Sequence, residues 1–360
     1  MNRLGVSVAS FFRAYLRVAL GCWVSAWAQA DYPRQPSRMV VGFASGGISD
    51  VLARAIAAKV SLHIGQQVIV DNKPGAGTTI AGDLMTWAAP DGYTIVMGTV
   101  GTHSINGTLY KKMPYDMTRD FAPISLIANA PNLLVVNNDL PVKTVPELVQ
   151  YMKANPNKLS FGSPGIGTSV HVSGELFKSL TGTQMTHAPY KGRQFAIPDL
   201  IGGSIQLMFD NMPSALPMAR DGKIRAIAVT TAKRSSAAPE IPTIAESIPG
   251  FEATTWFAMF APRGTPRELV MRIRDDVAAV LQIAEVRKRL RRDYGFPATG
   301  KDFGVPAVFS SEPPVKPEPC QKSATPVPRS LPSPPARCVR LRCSNSSYIA
   351  AWRASARAST

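Results

Sequence analysis

Short β-rich runs alternate with helical runs from residue 39 to residue 290, and this rhythm constrains the fold more than any other feature. The candidate strands are Met39–Phe43, Gln67–Val70, Thr94–Gly98, Leu133–Val136, Leu159–Gly162, Ile205–Phe209, Ile224–Thr230 and Thr255–Phe260. Each is short, apolar and rich in Val, Ile or Phe, as strands buried on both faces are. Helix candidates of about ten to fifteen residues lie between them. In Ser49–Leu62, the residues Leu52, Ala55, Ile56 and Val60 fall on one face. The alternation predicts an α/β protein with mostly parallel sheets. Thr144-Val145-Pro146-Glu147 and Thr265-Pro266-Arg267-Glu268 each read as a capping box, with Pro early in the helix where its missing N–H costs little.

Both ends differ from this body. Residues 1–30 carry three Arg and no acid, with an apolar run Val18–Ala28 and the cleavage pattern Ala28-Gln29-Ala30. That is an export signal cut after Ala30, leaving Asp31 first and the mature protein in the periplasm. Leu20-Gly21-Cys22 faintly resembles a lipoprotein site, but the preceding apolar stretch is short and broken by Arg17. Residues 301–360 hold ten of the 31 prolines and three of the four cysteines, without periodicity. They read as an unfolded tail. The formal net charge of +16 falls to +7 once both ends are set aside. Residues 31–300 contain no run of five basic residues, so a nucleic-acid partner is not expected. The basic cluster Arg287–Arg292 reads as the solvated end of a helix. The body has no cysteine, hence no disulfide and no thiolate chemistry. A body of about 270 residues buries enough surface to fold without them.

The motifs of common enzymes are missing. Gly222-Lys223 and Gly300-Lys301 lack the Ser/Thr of a P-loop. Gly165-Ile166-Gly167 has no third glycine for a dinucleotide fingerprint. Gly162-Ser163-Pro164-Gly165 lacks the first glycine of a nucleophile elbow. Histidines 63, 103, 171 and 187 show no metal-ligand spacing. A Ser163/His171/Asp210 triad can be drawn, but it is only three residue types in a long chain. No catalytic residue, metal or cofactor is expected.

What stands out is a set of small-residue loops at strand ends: Ala44–Asp50, Pro74–Thr79, Thr99–His103 and Ser163–Ser169. Small residues let backbone N–H groups approach a ligand, and helix N-termini add unpaired N–H groups and a positive dipole end. Such loops make a carboxylate or phosphate site without Lys or Arg. Turn and cap chemistry alone explains any one of them; four together leave the two explanations balanced.

At these loops the sequence resembles the Bug (Bordetella uptake gene) family, the periplasmic solute receptors of tripartite tricarboxylate transporters. The matching stretches include Val41-Gly42-Phe43-Ala44 with Gly46-Gly47 and Asp50, Asn72–Gly77, Ala89–Thr94, and Asp120-Phe121-Ala122-Pro123. Further on come Gly167-Thr168-Ser169 with His171, Pro189–Gly192, Met208–Asn211, Ala226–Thr230 and Phe260–Pro266. Order and spacing fit over about residues 31–300.

The resemblance implies a type II periplasmic-binding-protein-like fold: two α/β lobes with a ligand cleft between them. Lobe 1 is expected over 31–131 plus 252–300 and lobe 2 over 132–251, with the tail 301–360 outside both. The chain would cross near Ala130-Pro131 and return near Glu252. The implied ligand is a small carboxylate, held largely through backbone groups and ordered water. Carried over by position, Gly46, Gly47, Ile48, Ser49, Asp50, Gly77, Thr78, Thr99, Gly101 and Thr102 line the first wall. Gly165, Gly167, Thr168, Ser169, Tyr190 and Asp210 line the second. Asp210 would repel a carboxylate, so its expected roles are to orient Tyr190 or a water, or to bind an amine. The implied partners are permease subunits of the transporter, served by a monomer.

Several positions depart from the family pattern. Ser45 replaces a proline, and Ile48 stands where a smaller or polar residue is usual, which narrows the pocket or makes it more apolar. Arg193 and Phe195 follow Tyr190-Lys191-Gly192 where small residues are common; Arg193 either favours anions at the cleft mouth or is solvated. The family's last helix is replaced from about Lys301 by Pro-, Arg-, Ser- and Cys-rich sequence that looks like translation in a shifted frame. Losing several buried large side chains at about 1.5–3 kcal/mol each is enough to erase a typical stability of about 5–15 kcal/mol. The competing expectations are therefore a co-sensor for a two-component system that uses the same capture site, a non-functional frameshifted relative, an enzyme built on Ser163, His171 or Asp210, and a basic binder relying on the tail.

Overall fold

The structure is a computed structural model and describes residues 32–294; the segments expected to be an export signal and a tail lie outside the described residues. Nine strands and nine α-helices are present among the described residues. In chain order they are β1 (Ser37–Val41), α1 (Ile48–Ile64), β2 (Val68–Asn72), α2 (Thr79–Thr86), β3 (Thr94–Thr99), α3 (Asn106–Leu109), β4 (Phe121–Val136), α4 (Val145–Ala154), β5 (Ser160–Ser163) and α5 (Ser169–Thr181). There follow β6 (Thr186–Pro189), α6 (Arg193–Ile201), β7 (Leu207–Asn211), α7 (Met212–Arg220), β8 (Arg225–Val229), β9 (Thr254–Pro262), α8 (Arg267–Gln282) and α9 (Ala284–Tyr294).

The strands run in the order β2-β1-β3-β9-β4-β7-β5-β6, with β8 paired to β4 off this path. The expectation of mostly parallel sheets needs correction. β1 pairs β2 and β3 in parallel, and β5 pairs β6 and β7 in parallel. β3 with β9, and β4 with β7, β8 and β9, are all antiparallel. The reason is the 16-residue strand β4. Its residues 121–131 pair β9, and residues 132–136 pair β7 and β8. One strand thus belongs to two sheets, and β9 runs back beside it.

Asn132, fully buried, stands where the pairing changes. Its backbone N–H donates to Thr230 Oγ1 at 2.9 Å, its Nδ2 donates to Ser173 Oγ at 3.1 Å, and its Oδ1 accepts from Asn211 Nδ2 at 2.6 Å. A buried amide that finds partners on both sides fixes the crossing point.

The first half of β4 is absent from the sequence expectation because Pro123 and Pro131 argue against a central strand. A register shift follows Pro123, between it and Ser125, with another between Leu126 and Ala128, and Pro131 stands at the last pair with β9, where the pairing changes. β6 was also missed. It is a four-residue edge strand ending in Pro189, partly exposed and paired only to β5.

Hydrophobic burial follows the two sheets. Around the second sheet, Leu133–Val136, Phe161, Phe177, Leu207–Phe209 and Phe251 form one core. The first sheet is covered on both faces. One face packs Met39 and Met97 against α1, α8 and α9 through Leu52, Ile56, Val277, Val280 and Leu290. The other packs Val40, Val96 and Phe260 against Met85, Tyr115 and Phe121. Each such side chain contributes about 1.5–3 kcal/mol of transfer free energy. On α1 the buried face is Leu52, Ala53, Ile56, Ala57 and Val60; Ala55 sits at its margin, half-buried.

Two capping expectations turn out differently. Thr144 Oγ1 accepts from the Glu147 N–H at 3.3 Å, but the Glu147 carboxylate accepts from the Lys143 N–H at 2.7 Å, one residue before the cap. Thr265 does not cap α8: its hydroxyl donates to the Pro262 carbonyl at 2.8 Å, and the helix starts after Pro266 without a side-chain cap. A complete capping box occurs instead at Thr243 and Glu246.

Candidate functional site

Four helix N-termini end at one cavity between the sheets. α1 brings Gly47, Ile48 and Ser49; α5 brings Thr168, Ser169 and Val170; α6 brings Gly192, Arg193 and Gln194; Asp210 and Asn211 lead into α7. The empty space between the cavity walls, open solvent at the mouth included, is about 540 Å³. Phe43, Ala44, Thr99, Val100 and Pro164 complete the walls, with Thr255 and Phe257 from β9.

The first N–H groups of a helix have no intrahelical partner and carry the positive end of its dipole. At α1 and α6 the caps are glycines, Gly47 and Gly192, and no side chain satisfies those groups. At α5, Thr168 accepts from the His171 N–H, leaving the earlier donors free. Asn211 precedes α7 without capping it through its side chain. An anion fits such a cluster better than a cation does.

Asp210 is the one acid in the lining, and it is neutralised. Arg193 Nε donates to Asp210 Oδ2 at 2.6 Å, and the Asn211 N–H donates to Asp210 Oδ1 at 2.9 Å. The carboxylate is 1 % exposed and the Arg193 side chain 17 %. Burial pushes the Asp210 carboxyl above its ordinary value, against the pull of Arg193 and the Asn211 N–H. The expectation that Asp210 orients Tyr190 is corrected. Tyr190 donates its hydroxyl to Asp199 Oδ2 at 2.6 Å instead. Desolvation first, then Asp199, pushes the Tyr190 phenol up to about 12.

Of the residues singled out from sequence, Gly47, Ile48, Ser49, Thr99, Thr168, Ser169 and Asp210 stand in the cavity lining. Others serve its frame. Asp50, buried behind the first loop, accepts from the Gly46 N–H at 2.9 Å and from Arg54 Nε at 3.0 Å. Thr102 closes the turn after β3: its hydroxyl accepts from the Thr99 N–H at 2.7 Å and donates to the Thr99 carbonyl at 2.9 Å. Gly77 and Gly101 meet the second lobe away from the lining, Gly77 against the Ile166 carbonyl and Gly101 against that of Gly167. Gly167 itself lies against Asn106. Thr78 is buried beside Gly42. Gly165 receives the Ser163 and Thr168 hydroxyls on its carbonyl. Gly77 and Gly101 therefore meet backbone, and Gly167 a side chain, along a seam that a β-carbon at any of the three would obstruct.

Of the two expectations for Arg193, cleft mouth or solvent, the structure gives the first; Gln194, Val100 and the β9 residues were missed as wall residues. Because β6 was not recognised, the loop after it did not register as a fifth strand-to-helix turn. Thr255 and Phe257 carried a usable signal, since alternate residues of a strand share a face. Gln194 Oε1 is buried without a hydrogen-bond partner.

Ser163 does meet a histidine, but it is His187, whose Nε2 lies 2.7 Å from Ser163 Oγ. His171 stacks on His187 at 4.1 Å, and Asp210 is taken by Arg193. The triad drawn from sequence does not assemble. Burial, and then His171, pushes His187 down to about 4. Among the described residues no three His, Cys, Asp or Glu side chains group to hold a metal, and no helix is long and apolar enough to cross a membrane.

The model of the tripartite tricarboxylate transporter family receptor matches residues 52–301. The chain belongs to this receptor family. Its relatives include a UPF0065 protein in the tcbD-tcbE intergenic region of Pseudomonas sp. strain P51, 37% identical over 281 residues, covering 78% of this chain and 82% of the relative. Protein BugT of Bordetella pertussis is 35% identical over 262 residues, covering 72% and 80%. Among solved structures, R. palustris Rpa4515 with adipate is 42% identical with a TM-score of 0.71, covering 73% of this chain and 89% of that one. MatC from Rhodopseudomonas palustris with bound malate is 33% identical with the same TM-score, covering 74% and 91%. These are solute-binding receptors, not enzymes, and the receptor described here has their two-lobed α/β architecture.

Proposed function

We propose that this receptor captures a small carboxylate in the cavity between its lobes and delivers it to the permease subunits of a tripartite-type membrane transporter. The observation that carries this reading is the convergence of four helix N-termini on one cavity whose only acid, Asp210, is paired with Arg193. Unpaired N–H groups and dipole ends of one sign favour a negatively charged guest. Adipate and malate bound to Rpa4515 and MatC support the same ligand class.

The reading has four further parts. The lobes comprise 31–131 with 252–300, and 132–251, outside which lies the tail 301–360. Gly46, Gly47, Ile48, Ser49, Asp50, Gly77, Thr78, Thr99, Gly101 and Thr102 act from the first lobe, as wall or as frame. Gly165, Gly167, Thr168, Ser169, Tyr190 and Asp210 act from the second. The chain is exported to the periplasm by a signal cut after Ala30 and works there as a monomer.

The test is a thermal-shift screen of the chain against mono-, di- and tricarboxylates, together with amines and sugars. A ligand present at 100 times its dissociation constant stabilises the fold by about 2.7 kcal/mol. Stabilisation by carboxylates alone supports the reading. Stabilisation by amines or sugars and by no carboxylate refutes it.

A further inference from the structure

We propose that Arg193 is a ligand-binding and specificity-determining residue: its guanidinium is held by Asp210 and the start of α7 so that Nη1 donates to a carboxylate of the bound solute. This rests on the carboxylate reading above and adds to it a side-chain charge supplied by the second lobe.

The argument begins with donor accounting. A guanidinium has five N–H donors and no acceptor. Arg193 Nε is used by Asp210 at 2.6 Å. Nη2 donates to the Ser214 carbonyl at 3.0 Å and approaches Met218 Sδ at 3.2 Å. Nη1 makes no hydrogen bond among the described residues. The side chain is only 17 % exposed, and the residue lines the cavity. A half-buried cation with one edge held by protein and one nitrogen left to water can exchange that water for an oxygen of a guest, a charge-assisted hydrogen bond.

Asp210 gains a role from the same geometry. An acid in an anion cavity looks like an error when read alone. Paired with Arg193, it clamps the Nε edge, and the planar fork then fixes where Nη1 lies. Pre-positioned donors lose little freedom on binding. The N-terminus of α1 in the first lobe holds one end of the ligand, and Arg193 faces it from the second. The walls between, Phe43, Ile48, Val100 and Phe257, are apolar. A dicarboxylate with an apolar body satisfies both ends and the middle.

The test uses the full chain and isothermal titration with adipate, malate and terephthalate, followed with whichever binds most tightly. Two variants break the same ion pair, one leaving the net charge of the cavity unchanged and the other raising it. Arg193→Met combined with Asp210→Asn removes the guanidinium without orphaning a buried carboxylate. Asp210→Asn alone keeps the guanidinium, keeps a side-chain oxygen for Nε to donate to, and raises the net charge of the cavity. The double variant is expected to bind roughly 10- to 100-fold more weakly, the range for a hydrogen bond to a charged group. Asp210→Asn is expected to bind more tightly than the wild type. Equal weakening in both variants would show that the pair only braces the fold, and would overturn the proposal; so would a double variant that binds like the wild type, or an Asp210→Asn variant whose affinity is unmoved. If the wild type binds no carboxylate at all, the functional reading fails first and Arg193 falls with it.

Discussion

The α-carbon of Gly77 in the first lobe lies against the backbone carbonyl of Ile166 in the second, leaving no room for a β-carbon. Gly77 also has φ +59°, a left-handed conformation that costs other residues about 1–2 kcal/mol. The contact joins the lobes beside the cavity, so anything that widens it opens the cleft. Gly77→Ala is expected to weaken ligand binding tenfold or more while leaving the fold intact. Titration calorimetry reads the affinity, and solution scattering reads the failure to compact on ligand addition. An alanine variant that binds with unchanged affinity removes the seam from the binding mechanism.

Asp50 acts on the site from behind. Desolvation opposes its ionisation, but Arg54, the Gly46 N–H and Asn72 outweigh that and hold the carboxyl below its ordinary value. A depressed carboxyl contributes stability above its unfolded value of 3.8, which is lost as pH falls through the folded value. Asp50→Asn keeps the shape and removes the charge. Urea denaturation is expected to show a loss of about 1–3 kcal/mol at pH 7, with a weaker acid dependence below pH 4.

Thr168 couples stability to the cavity wall. Its Oγ1 accepts from the His171 N–H at 3.3 Å and donates to the Gly165 carbonyl at 2.8 Å. Thr168→Ala removes the N-cap of a 13-residue helix and is expected to cost about 0.5–2 kcal/mol in chemical denaturation. Thr168→Ser restores the hydroxyl and most of that loss. If serine fails where threonine succeeds, the methyl packing matters and the cap does not.

His103 predicts an acid limb. Its ring stacks on Phe260 at 3.8 Å, and burial pushes its pKa down from 6.5 to about 3. Between those values the unfolded chain binds a proton that the folded chain refuses, so stability falls as pH falls. The slope from this one group is about 1.4 kcal/mol per pH unit. His103→Phe keeps an aromatic ring on Phe260 and removes the proton. Unfolding free energies from pH 7 to pH 4 should lose that much slope in the variant, whatever happens to its absolute stability. An unchanged slope would mean His103 is protonated in the fold.

Much of the architecture was legible locally. β1 and β3 stand within about two residues of their expected positions, because Met39–Val41 and Ile95–Met97 are apolar runs buried on both sides. The loops opening α1 and α5 were legible as strand-to-helix turns because Gly, Ser and Thr suit turns and caps there; that they also line a cavity was left balanced. β4 was half-hidden by two prolines, one beside a register shift in the pairing with β9 and one at the end of that pairing. The Thr265 motif failed because its hydroxyl found the Pro262 carbonyl, an acceptor that a spacing rule does not see.

The candidate site divides along the same line. The sequence by itself determined which backbone segments are small enough, and helical enough, to present free N–H groups: these properties belong to residues adjacent in the chain. It could not assign Asp210. Arg193 lies 17 residues before it, and their 2.6 Å contact exists only because β6, α6 and β7 bring the two side chains together. Likewise the glycines at 77, 101 and 167 looked like ligand contacts, and only the approach of one lobe to the other turned them into a seam. Local propensity acts over a few residues, whereas charge pairing and backbone clearance depend on distances that the tertiary fold sets.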